Sequence, residues 1–292
     1  MKTIIKYNPA LWAKATIFAG VFFFAYGGVF QLFFNTWTSR DDYSHGFLIP
    51  LISIYLVWVN REKLKKMQVS PSIGLGSVLM CLSGFTLVIG DVAGVVLIQQ
   101  LSLVLMIPSV IVMLLGWKYF TSLLLPVCYL ILMVPVFDYV LGPNIHEIFQ
   151  ILTASISSSI LKIMSIPVMQ YGVYIELPKL TIKVAEECSG IRYLVSILAI
   201  AIPLAYLTQK KISERLLILC FAVLIAILAN IARVTMIGLW AHIFRSNMLH
   251  GPGHIFQGLF VAIFGYVVLF LFVWAMSRRK KAGIVQINTG IS

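Results

Sequence analysis

The sequence has few charged residues. Of its 292 residues only 11% are charged: 10 are acidic and 22 are lysine or arginine. An ordinary soluble domain carries about 25% charged and about 45–50% apolar residues. This chain is 60% hydrophobic, with a mean hydropathy of +0.98. The balance excludes an ordinary soluble protein and predicts a polytopic membrane protein.

Cysteine is also scarce, and its spacing does not suit a thiolate metal centre. The four cysteines are Cys81, Cys128, Cys188 and Cys220. All but Cys188 lie inside apolar runs, where a free cysteine usually packs as a small hydrophobic side chain. Cys188 stands among charges and is the candidate for a reactive thiol. There is no internal repeat and no low-complexity linker, so we expect one integral-membrane domain over residues 1–292, with a basic tail at 277–292.

The apolar runs predict an all-α fold with about eight membrane-spanning helices, since each crossing needs roughly 20 apolar residues. The predicted spans are about residues 11–34, 45–60, 72–90, 94–115, 118–136, 189–207, 214–244 and 254–276. The first is longer than a signal-peptide core, and no small-residue cleavage pattern follows it. We therefore expect it to be retained as a helix.

The basic residues predict the orientation, because cytoplasmic loops carry an excess of lysine and arginine. With both termini inside, most of the 22 basic residues fall on the inner side. The outer side then holds Arg40, Lys162, Lys179, Lys183 and Arg245. The net charge of +12 is thus explained by orientation beside anionic membrane lipids, and nucleic acid is not an expected partner.

One long segment, about residues 137–188, is predicted on the outer side. Residues 144–164 have helical periodicity and a serine-rich face, which suits an amphipathic helix at the membrane interface. Residues 173–184 alternate around Pro178-Lys179, as a short β-hairpin does. The hairpin leads directly to Cys188 at the mouth of the sixth span. The serines of the predicted face are Ser155, Ser157, Ser158 and Ser159.

Polar residues from three predicted spans share one membrane depth. Cys188 lies at the outer mouth of the sixth span, and His254 opens the eighth on the same side. Arg233 lies about 27 Å along the seventh span from Arg215, in the outer leaflet. An arginine within a span usually faces a polar interior or a functional site, although at this depth it can also extend to the interface.

Cys188 has neighbours with opposing effects on a thiol. A guanidinium such as that of Arg192 and the start of a helix lower a thiol pKa, whereas carboxylates such as those of Glu186 and Glu187 raise it. The two glutamates either pair with Arg192 or bind a cationic group of a substrate. Asn230, one turn before Arg233, either hydrogen-bonds within a site or packs between helices.

The histidines offer acid–base groups. Imidazole is the natural partner of a thiol nucleophile, which favours His254 as catalytic and His250 as interfacial, with the reverse left open. Metal binding by this pair is disfavoured because Gly-Pro-Gly between them breaks the helix, and no metal or cofactor is expected. His45 and Asp42 are weaker candidates for lining the site. Capping of the second span by Asp42 or Ser44 is the simpler interpretation of that stretch.

Three polar segments follow one another in a fixed order. They are Glu187-Cys188-Ser189-Gly190-Ile191-Arg192, Asn230-Ile231-Ala232-Arg233-Val234, and His254 at the start of the last helix. In this order they resemble the exosortase/archaeosortase family of integral-membrane cysteine transpeptidases. The similarity covers about residues 40–276 and includes Ser44-His45-Gly46, which resembles the family's second helix. Histidine as the third element is typical of the bacterial branch.

The resemblance implies that Cys188 is the nucleophile, Arg233 stabilises the transition state and His254 is the acid–base group. It implies substrates that are exported proteins with a C-terminal tail: a Pro-Glu-Pro-like motif, a transmembrane helix and a basic cluster. The tail would be cleaved on the outer face of the bacterial inner membrane and the protein passed to an acceptor, with an envelope polysaccharide or lipid as candidates. Substrate-binding or supporting roles fall to Glu187, Ser189, Gly190, Arg192, Asn230, His250 and His45.

Other classes fit less well. Prenyl-protein proteases use Glu-Glu-x-x-x-Arg, whereas four residues separate Glu187 from Arg192, and the rhomboid Gly-x-Ser-x-Gly does not occur. The alternative from another class is a transporter or channel for an anionic solute, with Arg192 and Arg233 lining the path. Transporters tend to place such groups near mid-membrane, at broken helices. Here the polar groups gather towards one face.

Overall fold

The computed structural model describes residues 9–178, 180–184, 190–244 and 263–278, most of them helical. Three of these helices are long and apolar enough to cross a membrane: Ile73–Val92, Val96–Leu114 and Ile212–Ile243. Four shorter apolar helices are Tyr43–Val59, Leu124–Met133, Tyr193–Thr208 and Ile263–Arg278. The helical membrane class is confirmed. The number of eight spans and the inner location of both termini stay predictions.

The chain forms two compact units, Met1–Val134 and Pro135–Ser292. The first unit contains α1 (Pro9–Ser39), a 3-10 helix (Asp41–Phe47), α2 (Leu48–Val59), α3 (Arg61–Lys65), α4 (Ile73–Val92), α5 (Val96–Leu114), α6 (Trp117–Ser122), α7 (Leu124–Tyr129) and a second 3-10 helix (Leu130–Met133). Helices α4 and α5 pack closely. A Cβ at Gly76 of α4 would overlap the backbone of Met113 on α5, so a glycine is needed at that contact.

The predicted fifth span, residues 118–136, is not one helix. It is divided into α6, α7 and the second 3-10 helix, with Leu123 between the first two. Proline supplies the physical reason, because Pro126 has no N–H to donate to the carbonyl of Ser122. In the first turn of α7 that missing bond costs nothing, since the first N–H groups of a helix have no partner within it.

The start of the second span also differs from the prediction. Residues Asp41–Phe47 form a 3-10 helix that continues directly into α2, and the residue before α2 is Phe47, with no side-chain cap. The N–H of Leu48 donates to the carbonyl of His45 instead. Neither Asp42 nor Ser44 is therefore the N-cap residue of α2, because the 3-10 helix continues past both of them to Phe47.

A short basic helix follows α2. In α3, Lys65 donates to the Glu62 carboxylate at 2.9 Å, and this bond lowers the pKa of Glu62. The guanidinium of Arg61 lies 4.0 Å from the ring centroid of Trp58. Tryptophan and basic residues together are typical of a membrane–water boundary, and the inner location of this loop stays a prediction.

The second unit contains α8 (Val136–Ile163), β1 (Met169–Tyr171), β2 (Tyr174–Leu177), β3 (Leu180–Lys183), α9 (Ile191–Thr208), α10 (Ile212–Phe244) and α11 (Ile263–Arg278). The strands form an antiparallel sheet in the order β1-β2-β3. Leu177 pairs with Leu180 across the predicted two-residue turn. The predicted hairpin is confirmed, and β1, which the sequence did not suggest, adds a third strand by pairing Tyr171 with Tyr174.

Helix α8 carries the serine-rich segment, but its serines do not share one exposed face. Ser155 and Ser159 are exposed, whereas Ser157 and Ser158 are buried. Ser157 donates to the carbonyl of Ile231 on α10, with 3.3 Å between the two oxygens. The helix therefore packs a polar stripe against α10. The prediction that the four serines share one face is wrong, because two of them are buried.

Two apolar clusters place the elements of the second unit around α10. The sheet packs on α8 and on the later part of α10, where Val234 is buried with Ile175, Ile182 and Leu161. Helices α9, α10 and α11 form the other cluster. Small residues let these helices approach closely: they include Ala201, Ala205, Ala222 and Ala226. The strands thus lead the chain to the end of α9 that lies beside Asn230 and Arg233.

Candidate active site

The buried arginine predicted in the seventh span is present on α10. Arg233 is only 6% exposed, and its guanidinium carbon lies 5.4 Å from the ring centroid of Tyr193 in the first turn of α9. A guanidinium over a tyrosine face is attracted by the electron-rich ring. The stacking holds the cation inside the protein, beside the start of α9. An arginine extended to the membrane interface does not fit this burial.

Asn230 lies one helical turn before Arg233 and is 1% exposed. Its Nδ2 donates to Oγ1 of Thr153 on α8 at 3.2 Å. A Cβ built on Gly190 would lie 3.0 Å from the same Nδ2. Asn230 therefore packs between helices, and its hydrogen bonding within a catalytic site stays a prediction.

Gly190 begins α9 in a conformation that favours glycine. Its φ is +90° and ψ is −13°, in the left-handed region, and the residue is buried. An L-residue there places Cβ against the backbone, and in this site the added Cβ would also press on Asn230. The glycine of the Cys188-Ser189-Gly190 sequence is thus explained by a turn and a close contact.

Gly190→Ala is expected to destabilise the turn by about 1–2 kcal/mol and to lower any activity of the site by more than the loss of folded protein explains. Gly172→Ala is the matched control: its φ is +56°, but nothing lies within 4 Å of an added Cβ. Thermal unfolding and activity of both variants in membranes check the prediction. Equal activity losses in the two variants would contradict a role for the contact with Asn230.

Several predicted site residues lie outside the described residues: Glu187, Cys188, Ser189, His250 and His254. Arg192 lies in the first turn of α9, but its side chain is outside the description as well. Their roles stay predictions. Among the described residues, Gly190 lies against Asn230 of α10 and Tyr193 of α9 lies beside Arg233.

His45 belongs to the first unit and is partly buried in the 3-10 helix before α2. Its ring centroid lies 5.7 Å from that of Tyr43. The neighbouring Gly46 packs against Trp37, where an added Cβ would overlap the indole ring. These contacts account for a tightly packed turn, and the site role of His45 stays a prediction.

The three cysteines of the apolar runs are exposed and do not pack in a protein core. Cys81, Cys128 and Cys220 are free thiols on exposed faces of apolar helices. Among the described residues no group of three or more His, Cys, Asp or Glu side chains is placed to hold a metal ion. Cys220 lies on α10, the same helix as Arg233, and provides a control thiol.

Two site residues were missed by sequence reasoning. Tyr193 follows the quoted motif by one position, and an aromatic residue one turn after Gly190 was a usable signal. Thr153 belongs to the polar stripe that also holds Ser157, four residues on, and this helical spacing places the two hydroxyls on one face. Nothing in the sequence indicated that this face meets Asn230.

A pocket of about 410 Å³ lies between α10 and α11, next to these polar residues. Ala229 and Ala232, which line it, immediately precede Asn230 and Arg233. Its described lining residues are all apolar: Ile225, Leu228, Ala229, Ala232, Met236, Phe264, Gly265 and Val268. This part of the lining suits a hydrocarbon group.

The fold and site define a helical membrane protein whose buried arginine and asparagine face a glycine-initiated helix that follows a cysteine segment. Comparison with protein families assigns it further: the transmembrane exosortase family matches residues 37–273. The chain therefore belongs to the exosortase family, a family of transpeptidases and cysteine proteases. No curated protein and no solved structure gives a significant match.

Proposed function

We propose that this protein is a membrane-embedded cysteine transpeptidase that cleaves the C-terminal sorting tail of exported proteins on the outer face of the bacterial inner membrane. Its substrates carry a Pro-Glu-Pro-like motif, a transmembrane helix and a basic cluster. The observation that carries the proposal is the packing of Gly190 against Asn230, one turn from the buried Arg233. This packing places Gly190, which follows Cys188 by two residues, beside the segment that contains Asn230 and Arg233.

Cys188 is the nucleophile in this proposal. Since consecutive Cα atoms are 3.8 Å apart, chain connectivity keeps residue 188 within about 7 Å of Gly190. A thiolate forms a C–S bond to the carbonyl carbon of the scissile peptide, giving a tetrahedral oxyanion. As this intermediate collapses, the C–N bond breaks and a thioester of Cys188 remains.

Arg233 opposes the negative charge of the oxyanion. A fixed cation in a site that excludes water stabilises charge that develops only in the transition state, without the cost of reorganising solvent. Stacking on Tyr193 restricts the guanidinium before the substrate arrives. Arg233 therefore supplies preorganised electrostatic stabilisation in this mechanism.

His254 moves the protons. It donates one to the amine that leaves as the peptide bond breaks, and it accepts one from the hydroxyl or amine that attacks the thioester. The acceptor takes the acyl group as the C–S bond breaks, and Cys188 is released as a thiolate. With an envelope polysaccharide or lipid as acceptor the outcome is transfer, and with water it is hydrolysis. No cofactor takes part in this scheme.

The substrate's charges agree with the predicted orientation. A tail with a basic cluster at its end keeps that cluster on the cytoplasmic side, so its motif meets the outer end of α9. An anion transporter is the alternative. The stacking of Arg233 on Tyr193 and the apolar lining of the pocket beside α10 fit an enclosed site better than an anion path.

The test is co-expression with a tagged, exported reporter that carries a Pro-Glu-Pro-type tail. We expect loss of the tail's mass, dependent on both the enzyme and the motif, with a reporter of scrambled motif as the matched control. The mass of the new C-terminus separates transfer from hydrolysis. Equal processing of the two reporters would contradict motif-directed sorting.

A further inference from the structure

Thr153 on α8 contacts Asn230, which lies in the Asn230–Arg233 segment and packs against Gly190. Its side chain is buried, at 4% exposure, and its Oγ1 accepts a hydrogen bond from Nδ2 of Asn230. Asn230 is itself 1% exposed. Leaving a buried amide N–H without an acceptor costs more than the bond is worth in water. The hydrogen bond to the threonine hydroxyl therefore restrains the position of the Asn230 side chain.

The same carboxamide packs against the turn that begins α9. The distances from an added Gly190 Cβ to Asn230 are 3.0 Å to Nδ2 and 3.2 Å to its Cβ and Cγ, so the two residues are in direct contact. One turn further along α10, Arg233 stacks on Tyr193. The orientation of Asn230 thus affects where the chain enters α9, beside the buried guanidinium.

We propose that Thr153 is a positioning residue: by fixing the Asn230 carboxamide against Gly190, it sets the approach of the preceding Cys188 segment to Arg233. The inference rests on the proposed cysteine-dependent reaction. Thr153 touches neither substrate nor the reacting atoms in this account. Its effect passes from its hydroxyl to Asn230 and from there to the backbone of Gly190.

Thr153→Val removes the acceptor and nearly keeps the side-chain volume, whereas Thr153→Ser keeps the hydroxyl. Ser157→Ala is the matched control, because Ser157 is a buried hydroxyl on the same face of α8 that bonds to the Ile231 carbonyl. Ser157→Ala removes a comparable hydrogen bond between α8 and α10, but one that does not involve the residue packed against Gly190. Thr153→Ala supplies a second variant without the acceptor, should the valine variant not accumulate.

Kinetics on the tail-bearing reporter with the full-length protein in membranes provide the test. For Thr153→Val we expect kcat to fall roughly tenfold, the factor that corresponds to loss of one buried hydrogen bond in the reacting geometry. We expect KM to change little, because the threonine does not contact the substrate. Thr153→Ser and Ser157→Ala are expected to stay within roughly twofold of the unmodified protein.

Three outcomes overturn the inference. One is unchanged kcat in Thr153→Val while Cys188→Ala is inactive, which would leave the proposed function standing. Another is an equal loss of kcat in Ser157→Ala, which would trace the effect to general packing between α8 and α10. The last is full processing by Cys188→Ala. That result would contradict the cysteine mechanism as well, whereas the first two outcomes leave it standing.

Discussion

Cys188→Ala is expected to abolish processing of a tail-bearing reporter, whereas Cys220→Ala leaves it unchanged. Removing a nucleophile that works with a base costs on the order of 10⁶ in kcat in a well-studied serine protease, so activity should fall below detection. Cys220 lies exposed on the apolar helix α10 and has no polar partner in the proposed mechanism. The fraction of reporter without its tail, measured by mass in isolated membranes, checks both variants.

The two cysteine variants also separate chemistry from folding. Equal amounts of both proteins in the membrane, with activity in only one, assign the loss to the thiol at position 188. Processing at similar rates in Cys188→Ala and the unmodified protein would make that cysteine structural, and the mechanism proposed here would be wrong.

Arg233→Gln is expected to lower the processing rate by about 10²–10³, the usual effect of removing one donor to a developing oxyanion. Glutamine keeps a polar side chain but has no positive charge. Arg233→Lys should recover little of the loss, because an ammonium lacks the planar, five-donor fork of a guanidinium. Single-turnover rates with saturating reporter measure the chemical step for each variant.

Arg215→Gln is the matched control for this experiment. Arg215 is also on α10 and also lies over a tyrosine of α9, with its guanidinium carbon 4.8 Å from the Tyr206 ring centroid. It differs from Arg233 in lying near the other end of the helix, where its Nε donates to the carbonyl of Gln209. A similar rate loss in both variants would show that arginine stacking stabilises the α9–α10 pair and would contradict a catalytic role for Arg233.

The helices could be predicted from the sequence because each apolar run carries its own signal. The sixth and seventh spans agree with α9 and α10 to within about two residues, the usual uncertainty of helix ends. The β-hairpin followed from alternation around Pro178. The fifth span was harder, since Pro126 breaks the helix without interrupting its hydrophobicity. A hydropathy argument cannot detect that break.

The candidate site was predictable only in part, because the sequence displays unusual residues but not their contacts. A buried arginine in an apolar helix is conspicuous, and so is a glycine between a charged segment and a helix. Thr153 is one of several hydroxyl residues in α8, and its role depends on which face meets α10. Tyr193 was likewise one aromatic residue among many. Both contacts arise from tertiary packing, which no local pattern specifies.

Mass spectrometry of the peptide that contains Cys188, after rapid acid quenching of membranes that are processing the reporter, tests the thioester directly. The cysteine mechanism predicts an added mass equal to that of the reporter fragment ending at the cleavage site, less one water. Neutral hydroxylamine should remove this mass, as it does from a thioester, and the mass should be absent from Cys188→Ala. Efficient processing with unmodified Cys188 at every quench time, and undiminished processing by Cys188→Ala, would contradict the cysteine mechanism.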